Sequence, residues 1–137
     1  MSDVPLKPTP PKNDVSRPYW EAAAKGRLLI QKCGSCEVLR HYPRLICAEC
    51  YSDQVLWIEA SGHGKIHSWT VAHHAFHPAF KTELPYTIVT VDLAEGPRSL
   101  GRWLGDTPKI GQAVMGWFNF DAKAPELFFK PFMEKTK

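Results

Sequence analysis

Apolar and polar positions alternate through YTIVTVDL, residues 86–93, with Thr87, Val89, Val91 and Leu93 on one side and Tyr86, Ile88, Thr90 and Asp92 on the other. A period of two predicts a strand with one buried face. GKIHSWTVAHHAF, RSLGRWL, AVMGWFNF and LFFKPF are further short runs rich in β-branched and aromatic residues, separated by SGHG, LAEGP, GDTPKIGQ and DAKAPE. Together these runs predict a small closed five-stranded barrel, because closure removes the unpaired edges that an open sheet would leave. Upstream, RLLIQKC and VLWIEA read as strands of a separate β-ribbon.

The periodicity changes again in SRPYWEAAAKG. Ser16 can cap a helix, Pro18 suits its first turn, Ala22 to Ala24 propagate it and Gly26 stops it. So short a helix is marginal unless docked. Tyr19 and Trp20 therefore need a surface, either on this chain or on a partner subunit. Ahead of the helix, Pro5, Pro8, Pro10 and Pro11 stand among polar residues, a composition that predicts an extended arm unable to order itself alone. The expected organisation is mainly β: a flexible arm over 1–15, a helix over 16–26, a metal-pinned ribbon over 27–58, and a barrel with a C-terminal tail over 59–137.

All four cysteines lie in CGSCEVLRHYPRLICAEC, as two Cys-x-x-Cys pairs ten residues apart. Two residues between cysteines let both sulfurs of a tight turn face one ion, so Cys33, Cys36, Cys47 and Cys50 predict a tetrahedral thiolate site. Two disulfides or a redox pair fit less well, because no secretory h-region precedes the pairs and neither opens a helix after a βαβ pattern. Four sulfurs suit zinc or iron. Most of the chain lies outside the knuckles, unlike a stand-alone electron carrier, which favours zinc. A closed thiolate site leaves no position for water, so the ion would organise the fold and not catalyse.

Composition changes this picture little. The 137 residues are 44% hydrophobic with a net charge of +3, and the charges are scattered. No run marks a nucleic-acid arm, and no stretch reaches the length of a membrane span. The expectation is a soluble, cytoplasmic protein.

The succession of a helix with YW, GRLLIQKC, the two knuckles, YPRLICAEC, SGHGKIHSWTVAHHAF, PYTIVTVDLAEGPR and IGQAV resembles the acyl-CoA-associated zinc-ribbon OB-fold family, also called domain of unknown function 35. The resemblance runs from about residue 17 to 132. It implies a rubredoxin-like zinc ribbon followed by an OB-fold, with Cys33, Cys36, Cys47 and Cys50 as ligands of structural zinc. It also implies a place beside thiolase-superfamily enzymes, with the catalytic cysteine on the partner, a coenzyme A thioester as ligand and a symmetric hetero-oligomer as the assembly. Where many members have two prolines before the arginine, this chain has Tyr42-Pro43-Arg44.

Other candidate chemistry is thinner. His73 and His74 are consecutive, so on a strand they face opposite ways and do not share an ion. The region from His67 to His77 reads mainly as loop packing or interface, with His74, Phe76, His77 and Phe80 as partner-interface candidates beside Tyr19, Trp20 and Phe132. Arg98 and Arg102 lie near a Gly-Pro turn and are candidates for the phosphates of coenzyme A. Asp92 and Glu95 read as solvated turn residues. With every cysteine committed to the ion, no nucleophile remains for catalysis. The expected function is a non-catalytic subunit that docks on a thiolase-like enzyme. The alternative is a single-strand nucleic-acid module in which Trp57, Trp69 and Trp103 stack bases, although cations are scarce around those aromatics.

Overall fold

The computed structural model describes residues 6–10, 13–120 and 124–133. Parts of the predicted arm (1–5, 11 and 12) and of the C-terminal tail (134–137) lie outside the described residues. Helix α1 spans Arg17–Ala23. Ser16 does not cap it through its side chain. Instead the turn before it is held by Asn13, whose Oδ1 accepts from Ser16 N at 2.9 Å and whose carbonyl accepts from Arg17 N at 2.9 Å. At the other end Gly26, at φ +77°, lets Gly26 N donate to Ala23 O and Arg27 N to Ala22 O, the paired bonds of a Schellman stop.

The ribbon is a three-stranded antiparallel sheet of β1 (Leu29–Cys33), β2 (Leu39–Arg40) and β3 (Val55–Glu59), in the order β2-β1-β3. The barrel follows: β4 (His63–Ala72), β5 (Tyr86–Leu93), β6 (Arg98–Trp103), β7 (Ala113–Asn119) and β8 (Glu126–Pro131), closed in the order β4-β5-β6-β8-β7. Each predicted barrel strand is present. β4 is shorter than its sequence run: its last pairing is Ala72 with Tyr86, the first residue of β5, so beyond it the chain has no neighbour to bond. His73, His74 and Phe76 therefore leave the sheet, and the loop gains a 3-10 helix over Pro78–Glu83. The extended His77 caps that helix, its Nδ1 accepting from Ala79 N at 3.1 Å, and Pro78 sets the first helical φ.

Ribbon and barrel share one core. Leu28 and Ile30 of the ribbon, Tyr19 and Ala23 of α1, and Ile66, Val89, Val91, Val114 and Phe129 of the barrel belong to a single buried cluster. Tyr19 is the wedge between them, its ring meeting Phe118 of β7 on one side and His41 of the ribbon on the other. Burial drives its hydroxyl pKa well above the ordinary tyrosine range, so it remains a neutral phenol.

Candidate metal centre and aromatic cleft

Each Cys-x-x-Cys turn repeats the same backbone bonds. Glu37 N donates to Cys33 O and Cys33 N to Val38 O, while Tyr51 N donates to Cys47 O and Cys47 N to Ser52 O, all at 2.9–3.0 Å. Both turns need a left-handed residue after the second cysteine, supplied by Glu37 at φ 68° and Tyr51 at φ 63°. Gly34 is required for a different reason: a Cβ there would stand 2.9 Å from Gln54 Cβ, at the crossing where Gly34 N bonds Gln54 O.

These turns bring the four Sγ atoms within 4.8 Å of one another. Two of the separations are 3.6 Å (Cys33 to Cys50) and 3.7 Å (Cys36 to Cys47). A tetrahedron with metal–sulfur bonds of about 2.3 Å has edges of about 3.8 Å, so the four residues fit a zinc ion. Backbone N–H groups of Cys36 and Ser35, each 3.4 Å from Cys33 Sγ, hold that thiol down to about 6, and the N–H groups of Cys50 and Glu49 lower Cys47 in the same way. Nitrogen–hydrogen dipoles aimed at sulfur favour the thiolate that a metal needs.

A second feature lies on the face of β5 and β6, the second and third barrel strands, where OB barrels generally take ligands. A cleft of about 320 Å³ is lined there by Tyr19, Trp20, Tyr42, Phe80, Tyr86 and Phe118, with Arg102 and Glu126. Tyr42, where the chain departs from the two-proline pattern, joins ribbon to barrel: its hydroxyl accepts from Leu100 N at 2.8 Å. Tyr19 is thus docked on its own chain, and Trp20 is half-buried beside it, ring edge to face at 4.9 Å.

Arg102 is not a free surface cation. It is 8% exposed, with its guanidinium 4.3 Å from the Tyr86 ring centroid and its Nη1 shared between Glu83 and Glu126. Burial opposes the charge on Glu83, but Lys7 and Arg102 outweigh it and hold the carboxyl below its ordinary value. Arg98 is exposed and pairs with Asp92 at 2.7 Å. The turn carboxylates are accordingly more than solvated: Arg98 bonds Asp92, and Glu95 Oε2 accepts from Ser61 N at 2.9 Å.

The remaining candidates are dispersed. Phe76 is 95% exposed, with His74 against its ring at 4.6 Å. Phe80 lines the cleft, and Phe132 packs on His63 at 4.6 Å beside a wider cleft at one end of the barrel. Of the tryptophans proposed for base stacking, Trp103 is buried with Nε1 bonded to Asp106 O, so it offers no face to a base; Trp57 packs on the core and Trp69 is exposed. Sequence reasoning missed Lys7, His41, Glu83 and Glu126. Only Tyr42 left a trace, as the break in the proline pattern.

Residues 20–55 match the family model described as the ChsH2 rubredoxin-like zinc ribbon domain, and residues 57–119 match the ChsH2 C-terminal OB-fold domain. A Thermomonospora curvata protein named "Probable enoyl-CoA hydratase alpha subunit" is 38% identical over 130 residues, 92% of this chain, which spans 40% of that protein's length. A Methanocaldococcus jannaschii protein named "DUF35 domain-containing scaffold protein" is 30% identical over 66% of this chain and 67% of its own. Among solved structures, a chain of the "Ltp2-ChsH2(DUF35) aldolase" superposes with a TM-score of 0.79 at 36% identity, covering 90% of this chain and 98% of that one. With four cysteine sulfurs clustered in its ribbon and a closed barrel behind it, the chain belongs to the ChsH2-type DUF35 family of zinc-ribbon OB-fold proteins.

Proposed function

We propose that this chain is a non-catalytic subunit of an acyl-CoA-processing complex. It docks on a thiolase-superfamily enzyme, whether thiolase, acyltransferase or aldolase, stabilises it and helps hold or channel the acyl-CoA. The observation that carries this reading is the likeness, over nearly the full length of both, to a chain of an aldolase assembly named for two components. The chemistry of the sulfurs agrees. Cys33, Cys36, Cys47 and Cys50 would hold zinc, which supplies folding energy there and leaves no thiol free to attack a thioester. A reducing compartment such as the cytoplasm suits four such thiols. Among the described residues no helix is long and apolar enough to cross a membrane.

Apolar side chains standing free of the core, Phe76 above all, are suited to covering by a partner. Arg98 is the arginine available to the phosphates of coenzyme A, by exchange from its exposed pair with Asp92, and Arg102 is not. A dimeric or tetrameric partner would repeat the docking patch and give a symmetric hetero-oligomer. The test is native mass spectrometry of the tagged chain purified from its own host. The expected result is a complex with a thiolase-fold enzyme and one zinc per chain; a chain recovered alone, or one that turns over acyl-CoA by itself, would overturn the reading.

A further inference from the structure

β7 closes the barrel against only the first part of β4. The two strands pair from His63 to Lys65, and the last backbone bonds on that edge are made at Ile66, whose N donates to Gln112 O at 3.0 Å and whose O accepts from Gly111 N at 2.7 Å. From Ser68 to Ala72 the strand pairs with β5 alone, and among the described residues no other backbone group bonds to it. In an antiparallel strand the backbone groups of alternate residues turn to opposite edges, so half of the groups in this stretch point away from β5. Trp69, Thr70 and Val71 are all exposed. Successive side chains point to opposite faces, so neither face of the stretch is covered.

Edges of this kind ordinarily carry a guard, such as a lysine, a proline or a bulge within the strand. Ser68-Trp69-Thr70-Val71-Ala72 has none, and the bulge of β4 comes before it, between Ile66 and Ser68. The stretch instead carries residues that suit pleated pairing, with Trp69 and Val71 on one face. Its surroundings select a partner by charge. From Ala60 to Thr82 the chain has Lys65, Lys81 and five histidines and no carboxylate. The carboxylates that border this segment are occupied: Glu59 bonds Arg27, Asp92 across from Lys65 bonds Arg98, and Glu83 bonds Lys7 and Arg102. A second copy would set two such basic collars against each other, whereas an acidic segment meets opposite charge.

We propose that the outer edge of β4 at Ser68–Ala72 is a strand-addition site that takes an extended, carboxylate-bearing segment of the partner enzyme. Main-chain hydrogen bonds hold such a segment, and β-branched or aromatic side chains opposite Trp69 and Val71 set its register. Just beyond the edge, Phe76 is 95% exposed and supplies an apolar anchor. The inference rests on the reading of this chain as a docked subunit and names the element that docks.

The experiment compares the free zinc-loaded chain with the complex purified from its own host, by residue-resolved hydrogen exchange. In the free chain alternate amides of Ser68–Ala72 exchange fast. In the complex that fast set slows by about tenfold or more, because the added strand bonds it. Two variants at the exposed Val71 separate strand pairing from mere covering. Val71→Thr keeps an uncharged β-branched edge and binds the enzyme as the parent does, while Val71→Glu repels a carboxylate-bearing strand and weakens binding by about tenfold. Thermal unfolding of the free variants checks that both are folded. A complex in which these amides exchange as fast as in the free chain overturns the strand-addition site and leaves the docking itself standing, as does undiminished binding by Val71→Glu; a chain recovered alone overturns both.

Discussion

The Phe129 ring lies where a side chain on Gly101 would have to be: a Cβ built on Gly101 stands 2.5 Å from two of its ring carbons. Gly116, on β7 at the other side of β8, meets the same ring at 2.7 Å. Phe129 is fully buried and closes the barrel between β6 and β7, so both glycines provide volume and not flexibility. Gly101→Ala should destabilise the chain by about 1–3 kcal/mol, the usual cost of overpacking. Adding Phe129→Leu should recover part of that loss, whereas the two changes would add if they acted independently. Urea unfolding of the two single variants and the double variant measures the coupling.

The same contact explains where the strand pattern of the sequence succeeds and fails. In β5 the alternation is faithful: Val89, Val91 and Leu93 are all buried, as their period predicts. In β6 it is inverted, with Ser99 at 1% exposure and Leu100 at 49%. The register pairs Ser99 with Val91 and Gly101 with Val89, which turns the small residues inward. Phe129, from a strand distant in sequence, fills the space they leave. No local pattern contains that information, because the partner volume comes from elsewhere in the chain. The metal centre was legible for the opposite reason, since its four ligands lie within eighteen residues and their spacing encodes the turns. Arg102 stands in the sequence as a candidate for the phosphates of coenzyme A because its two carboxylates, on the 3-10 helix and β8, are joined to it only by the fold.

Each knuckle places an ordinary residue in left-handed backbone, which costs about 1–2 kcal/mol for a side chain with Cβ. Glu37→Gly and Tyr51→Gly should each raise stability by up to about 1 kcal/mol, reduced by the extra freedom that glycine gives the unfolded chain. Ala48→Gly, where φ is not positive, should lower it. Denaturation midpoints of the metal-loaded variants distinguish relief of strain from a general tolerance of the loop.

Removing the metal should unfold the ribbon before the barrel. Zinc binding in small thiolate modules contributes about 10–16 kcal/mol of apparent folding free energy, more than three short strands replace by themselves. With a chelator in excess, the amides of β1 and β3 should lose hydrogen-exchange protection. Those of Val89 and Val91 should keep most of theirs, because the barrel closes without the ribbon. Their protection should still fall somewhat, since Leu28 and Ile30 share the barrel's core. Cys47→Ala should reproduce the chelated pattern. Full protection of β1 in the chelated protein would show that the ion is dispensable.

His41 gives the junction between ribbon and helix a pH dependence of known sign. Its ring lies 3.9 Å from that of Tyr42 and 5.5 Å from that of Tyr19, and neither ring nitrogen has a hydrogen-bond partner. Burial pushes its pKa from 6.5 down to about 4, so the folded chain resists a proton that the unfolded chain accepts. Between those two values the unfolded state binds more protons, and stability must rise with pH. The contribution is fully present above about pH 6.5, declines as the solution is acidified, and is exhausted near pH 4, amounting to roughly 3 kcal/mol across the window. Zinc release from the thiolates has the same sign over part of that range, so the wild-type slope alone does not isolate His41. His41→Phe keeps an aromatic ring between the two tyrosines and removes the titration. Its stability should therefore fall less steeply than the parent's from pH 6.5 to 4, with metal content measured at each point; identical slopes in both proteins would show that His41 contributes nothing to the acid sensitivity.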